Sequence, residues 1–300
     1  SWTIYSVGGG ALANEASRLE TPRSIYPLST ISEIKEWCYH EGKTFWEYVS
    51  DCEGPEIWDY LDTVWETMCA TIQRGLNNDG VLPGGLKVAR KASTYWVKSK
   101  SYTDSLSSRA KIYAYALATS EENASGGTVV TAPTCGSSGV MPAVLYHLST
   151  SRNFLRIRIL RALATAGLFG NVAKTNSSIS GAEVGCQGEV GVACAMAAAA
   201  ACQLFGGTPS QIEYAAEMGL EHHLGLTCDP VCGLVQVPCI ERNAIAAARA
   251  FDANAYATLS DGSHMVSFDK VVEVMNETGH ALPSLYRETS EGGLAKRFKR

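Results

Sequence analysis

The stretch LTCDPVCGLVQVPC, residues 226–239, holds three cysteines, Cys228, Cys232 and Cys239, with three and six residues between them. Asp229, Pro230 and Pro238 interrupt any regular helix there, which makes this a loop able to aim thiols. Three chemistries compete for it. A nucleophilic thiol needs a nearby base, and His222 and His223 precede Cys228 closely, but that reading leaves the other cysteines without a role. Zinc favours CxxC pairs, and the chain has neither these nor an HExxH motif. An iron–sulfur cluster on three thiolates would leave one iron without a protein ligand, free to act as a Lewis acid. Cys186, Cys228 and Cys239 suit that role, because each lies in a Gly/Pro-containing loop or at a helix start where backbone N–H groups can face cluster sulfur. Spacing alone does not choose among these readings, since no compact ferredoxin-type run is present. Cys194 and Cys202, in an alanine-rich run, and Cys38, Cys52 and Cys69, in helix-like stretches, read as small buried hydrophobes.

The elements that must position these thiols belong to a chain of 300 residues, enough for one large domain or two ordinary ones. Hydrophobic residues at 46% and charged residues at 18% give a globular composition. A net charge of -5 argues against nucleic acid or an anionic membrane as partner. The run VGVACAMAAAAACQLF (190–205) is too short and too rich in alanine for a membrane span and reads as a buried helix. Ten cysteines without a secretory signal or a disulfide-framework spacing point to a reducing, cytoplasmic setting with free thiols.

The opening SWTIYSVGGGAL alternates like a strand running into a glycine hinge at Gly8–Gly10, and no partner strand follows for a long way. From Ser29 the pattern turns helical. STISEIKEWCYHEG carries a cap, Glu33 in the first turn and Gly42 just past the end. Residues 55–76 place Ile57, Tyr60, Leu61, Val64, Trp65, Met68 and Ile72 on one face, with Pro55 opening the helix and Gly75 closing it. Further helices are predicted at 104–120, 139–149, 153–172, 187–205, 209–223, 239–258 and 267–280. The expected fold is mainly α, a single large helical domain with Gly/Ser-rich active-site loops, preceded by a short N-terminal strand. Four loops, 78–92, 131–143, 174–191 and 222–243, are rich in glycine and small hydroxyls, and each precedes or joins a helix. A helix N-terminus fronted by such residues is a natural carboxylate cradle, although capping alone also explains each one.

TAPTCGSSGVMPAVL, NSSISGAEVGCQGEVGVACAMAAAA, GLTCDPVCGLVQVPCIERNA and YRETSEGGLA closely resemble the α chain, or α domain, of iron–sulfur L-serine dehydratases. These are L-serine ammonia-lyases of bacterial type that use a 4Fe-4S cluster and no pyridoxal phosphate. The resemblance runs from about residue 24 to Ala295, and YSVGGG resembles the end of the family's small β domain. It implies residues 1–23 as an N-terminal strand and linker left from, or belonging to, a β domain, and residues 24–300 as the helical catalytic α domain. It implies Cys186, Cys228 and Cys239 as the cluster ligands, with Cys232 between them as packing. Some family members cap the open iron with a C-terminal cysteine; GGLAKRFKR has none, so that capping is not expected here.

The implied reaction removes water from L-serine to give pyruvate and ammonia, with a β chain or upstream β domain as partner and a homodimer as the expected assembly. Threonine or cysteine as substrate, or a non-catalytic protein binding a cluster, a carboxylate or zinc, are the alternatives. TCGSSG offers Thr134, Ser137, Ser138 and the N–H of Gly139 to the substrate carboxylate, or else a capping turn. Lys87 in PGGLKVAR adds positive charge or is solvated surface. Asn176, Ser178 and Ser180, with Glu183 and Glu189, are candidates to bond the substrate ammonium or the cluster sulfurs, the glutamates equally to cap the helix near Cys186. Arg242 and Asn243 follow the third ligand directly and are expected to support it or reach substrate. His222 and His223 are the candidate bases, unless the base belongs to the β domain, in which case this chain alone is inactive.

Overall fold

A computed structural model describes residues 3–6, 12–14 and 25–298. Tyr5–Ser6 (β1) pairs antiparallel with Leu12–Ala13 (β2), Tyr5 opposite Ala13 and Ser6 opposite Leu12. The expected N-terminal strand is therefore short, and its partner is the chain that follows at once; the glycines of the expected hinge lie outside the described residues. Everything beyond is helical. The elements are α1 (Ile31–Glu41), α2 (Phe45–Glu53), α3 (Ile57–Asn77), α4 (Ala92–Ser99), α5 (Asp104–Ala124), α6 (Val140–Arg152) and α7 (Arg156–Asn176). They continue as α8 (Gly181–Val184), α9 (Val192–Leu204), α10 (Pro209–Glu221), α11 (Cys239–Leu259), α12 (Phe268–Ala281) and α13 (Gly293–Arg297).

Local chemistry sets the helix ends. Thr30 and Glu33 form a reciprocal capping box at the start of α1, and Gly42 ends it in the left-handed region at φ 65°. Thr44 and Glu47 repeat the box at α2, a helix too short for hydrophobic periodicity to reveal. Gly75 does not close α3, as the sequence led one to expect, but lies inside it and buried; Asn78 ends the helix. Its role is close approach. A Cβ there would stand 2.3 Å from the carbonyl oxygen of Ala118 on α5. Of the expected face of α3, Leu61, Trp65, Met68 and Ile72 are buried, whereas Tyr60 points to solvent.

The alanine-rich run forms α9, which packs against α6, α7, α10 and α11 at the centre of the bundle. Every side chain from Val192 to Cys202 is buried, because small residues let four neighbours surround one helix closely. This arrangement positions the site. α6, α9 and α11 are mutual neighbours, and the loops that precede them carry Thr134–Gly139, Ser180–Cys186 and Cys228–Pro238. Immediately before α9, Gln187–Gly191 form a single π-helical turn, the local widening that often marks functional sites.

Helix α10 carries Glu213, Glu217 and Glu221 at four-residue intervals, so one stripe is acidic. Glu213 pairs with Lys35, while burial and then the charge of Glu221 push the Glu217 carboxyl up to about 8. The unfolded chain ionises a glutamate near pH 4.3. Because the native state holds the Glu217 proton more tightly, stability declines as pH rises from about 4.3 towards the native value of about 8. Glu217→Gln is expected to flatten that decline and raise the melting temperature at the alkaline end, measured by thermal unfolding across the range. Gly75→Ala is expected to cost about 1–3 kcal/mol in urea unfolding, through forced separation of α3 and α5.

Candidate functional site

Three cysteines from separate segments line one cavity of 370 Å³. Cys186 precedes the π-helical turn, Cys228 lies in the loop after α10, and Cys239 is the first residue of α11. All three are buried. Thr134, Cys135, Gly136, Ser180, Gly181 and Glu189 share the cavity wall. The Cys186 and Cys228 sulfurs and a Glu189 carboxylate oxygen lie within 4.8 Å of one another, and Cys186 Sγ is 3.9 Å from Glu189 Oε2. Gly181 makes room for this grouping. A Cβ there would stand 2.8 Å from Glu189 Oε2 and 3.0 Å from Cys228 Sγ.

The electrostatics suit a cationic centre. The Cys186 thiol hydrogen-bonded to Cys228, together with burial, holds the Cys228 proton on far more tightly than usual. Burial, and then Cys186, push the Cys239 thiol up to about 12. Burial, and then the charge of Glu288, push the Glu189 carboxyl up to about 7. No lysine, arginine or histidine is among the described residues that line the cavity. A metal centre bound here would supply the missing positive charge and make thiolates of these thiols. Three sulfur donors and a wall of small hydroxyl residues suit an iron–sulfur cluster. Cys135, the other cysteine in the wall, has its thiol raised by burial and then by Glu189.

The loops are braced from behind. Asn243, buried on α11, donates to the carbonyls of Gly136 at 2.8 Å and Cys239 at 2.9 Å, and its side-chain oxygen accepts from Gly139 N–H at 2.9 Å. One amide thus joins the loop before α6 to the third cysteine. Gln187 accepts from Gly225 N–H at 2.9 Å and donates to Val184 O at 2.8 Å, tying the π-helical turn to the start of the cysteine loop. Arg242 donates to Thr227 O at 2.6 Å and to Asp229 at 3.4 Å, and Asp229 accepts from Leu294 N–H at 2.5 Å. Cys228 is held on both sides by the C-terminal segment: its N–H donates to Tyr286 O at 2.8 Å, and its carbonyl accepts from Glu288 N–H at 2.7 Å.

The residues expected to work on substrate divide sharply. Thr134 and Ser180 line the cavity. Ser137 lies behind the wall, its hydroxyl 3.0 Å from that of Thr134, and the buried Ser138 hydroxyl has no partner among the described residues. Gly139 spends its N–H on Asn243, and Ser178 accepts from Ser180 N–H at 3.0 Å. Asn176, exposed, donates to Ser29 O away from the cavity. Arg242 braces the loop and does not line the cavity.

None of the expected catalytic groups lines it either. Lys87 is exposed on a hairpin at φ 52°. The ring of His222 is spent on Met218 O at 2.9 Å in solvent. His223 is buried beneath Gly191 and bonded to Gly219 O at 2.7 Å, and burial lowers its pKa to about 4. Both rings lie one helical turn beyond a carbonyl near the end of α10, where the last carbonyls can accept side-chain donors, which explains their capture. Cys232, expected as packing, is exposed at φ 56° on a tight turn with Gly233. Sequence reasoning missed Glu288, which lines the cavity at φ 62°. Its only signal was its place within YRETSEGGLA.

Comparison with known proteins identifies the family. Residues 11–295 match the family model described as serine dehydratase alpha chain. The chain is 46% identical over 306 residues to an L-serine dehydratase of Streptomyces coelicolor, covering 98% of this chain and 67% of that protein. It is 46% identical over 312 residues to L-serine dehydratase 1 of Escherichia coli, covering 98% and 68%, and 39% identical over 315 residues to an L-serine dehydratase of Helicobacter pylori, covering 99% and 69%. This chain thus spans about two thirds of the length of these relatives. It belongs to the serine dehydratase alpha chain family and is a lyase.

Asn243→Ala strips three hydrogen bonds from buried backbone groups and is expected to cost about 1–3 kcal/mol in urea unfolding. Asn243→Asp keeps the acceptor for Gly139 but turns a buried carboxylate oxygen against the carbonyls of Gly136 and Cys239, and is expected to cost at least as much.

Proposed function

We propose that this chain carries the 4Fe-4S centre of an L-serine dehydratase, which removes water from L-serine and yields pyruvate and ammonia. The observation that carries the reading is the convergence of Cys186, Cys228 and Cys239 on one cavity. Family membership and the names of the relatives support the substrate. Cys186, Cys228 and Cys239 hold the cluster, which when bound supplies a Lewis-acidic iron for the substrate carboxylate and β-hydroxyl.

The chain's own residues shape the rest of the reaction. The Thr134 hydroxyl, the Ser180 hydroxyl and the backbone at Gly136 offer neutral contacts to the substrate in a wall without cationic side chains. Asn243 and Gln187 hold the three cysteine segments in one geometry, so that binding does not have to order them. The overall chemistry balances: a base takes the Cα proton, the Cβ–O bond breaks with its electron pair leaving on oxygen, and water and aminoacrylate result. Aminoacrylate tautomerises to an imine that water hydrolyses to pyruvate and ammonia.

We assign the Cα base to a β domain outside this helical domain, consistent with a chain that spans about two thirds of its relatives' length. The support is negative and specific: the expected bases His222, His223 and Lys87 do not line the cavity. In anaerobic assays, pyruvate formation from L-serine is expected only when a β domain is supplied in trans or fused, and full activity of this chain alone overturns the assignment. For the cluster, iron and acid-labile sulfide are measured after anaerobic purification of wild type and Cys228→Ala. The variant is expected to lose most of both and the air-bleached visible absorbance; undiminished iron would sink the ligand set.

A further inference from the structure

L-Serine is a zwitterion, and the carboxylate end has the contacts already described. The ammonium end needs an anionic partner within the cavity. Two carboxylates line it, Glu189 and Glu288. Glu189 is already engaged, its oxygen 3.9 Å from Cys186 Sγ on the side where the thiols gather. Glu288 is different in three respects. Its carboxylate has no hydrogen-bond partner among the described residues. It sits on the solvent side of the cavity, in a residue that is otherwise exposed. And its backbone is held at φ 62°, a conformation that glutamate rarely adopts.

That conformation is fixed rather than accidental. Glu288 N–H donates to Cys228 O, Cys228 N–H donates to Tyr286 O, and Arg287 reaches across to Glu183 O at 3.1 Å. Leu294 N–H is anchored on Asp229, the residue after Cys228. The C-terminal segment is thereby set in register with a cysteine of the candidate cluster, and its one acidic side chain in the cavity wall is turned to face that cysteine's neighbours. Strained backbone that the surroundings over-determine is a mark of a side chain placed for a task.

We propose that Glu288 is the specificity residue that pairs with the α-ammonium group of the substrate, so that the site accepts α-amino acids over the corresponding 2-hydroxy acids. The inference rests on the L-serine dehydratase reading and deepens it. It explains why an anionic wall is tolerable beside a negatively charged substrate group: the carboxylate end faces the cationic centre and the ammonium end faces Glu288.

The test uses anaerobically loaded enzyme with its β domain, L-serine as substrate and glycerate as a competitive inhibitor that keeps the carboxylate and β-hydroxyl but lacks the ammonium. Glu288→Gln keeps length and backbone strain while removing the charge. It is expected to raise KM for L-serine about tenfold or more, with a much smaller change in kcat, and to leave the glycerate Ki unchanged. Glu288→Asp is expected to recover part of the lost affinity. The ratio of serine KM to glycerate Ki does not depend on the fraction of enzyme carrying a cluster, so incomplete loading does not blur the result. An unchanged ratio in Glu288→Gln, or equal weakening of serine and glycerate, overturns the proposal. Loaded wild type that makes no pyruvate from L-serine overturns instead the activity on which it rests.

Discussion

Bringing cysteines from positions 186, 228 and 239 into the wall of one cavity is the constraint that organises this molecule. Buried thiols with no cation in their cavity wall hold their protons tightly, Cys228 through its hydrogen bond with Cys186 and then burial, Cys239 through burial. Their segments gain little by meeting, so other interactions must hold them together. The bundle does this with neutral amides. Asn243 and Gln187 satisfy backbone groups of separate loops simultaneously, and neither introduces a charge that would compete with a metal centre. The alanine-rich α9 serves the same end, because only small side chains let α6 and α11 come close enough for their preceding loops to share a cavity.

Charge is instead kept at the edges of this assembly. Arg242 and Asp229 pair behind the cysteine loop, and Glu122 gathers Arg74 and Arg90 at the foot of the 80–90 hairpin. Ion pairs with one well-buried partner fix geometry where a loop must not drift. Inside the cavity the only ionisable side chains on described residues are carboxylates and cysteines, and none is cationic. That asymmetry, anionic within and paired without, is what makes a small cationic or zwitterionic guest the natural complement.

Much of this was legible in the sequence, for identifiable reasons. Long amphipathic helices announced themselves through periodicity and caps, as in α1, where Thr30, Glu33 and Gly42 each occupy their expected place. α2 and α4 were not predicted, because nine and eight residues hold too few turns for a periodic signal. Gly75 misled because a glycine that ends a helix and one that admits a neighbouring helix look alike in one dimension. At the site, cysteines in Gly/Pro loops were conspicuous. His222 and His223 were conspicuous for the wrong reason, since proximity in sequence to Cys228 says nothing about which way a ring turns at the end of α10. Glu288 went unseen because its cavity-facing placement depends on pairing with a segment sixty residues earlier.

That pairing also has a bearing on how the site comes into being. A chain emerging from the ribosome presents all three cysteines well before the segment that flanks Cys228 exists. Until residues 286–294 are made and docked, Cys228 lacks both of its backbone partners and Asp229 lacks its anchor at Leu294. The cavity wall at Cys228 is therefore complete only when residues 286–294 have docked on the loop that carries it.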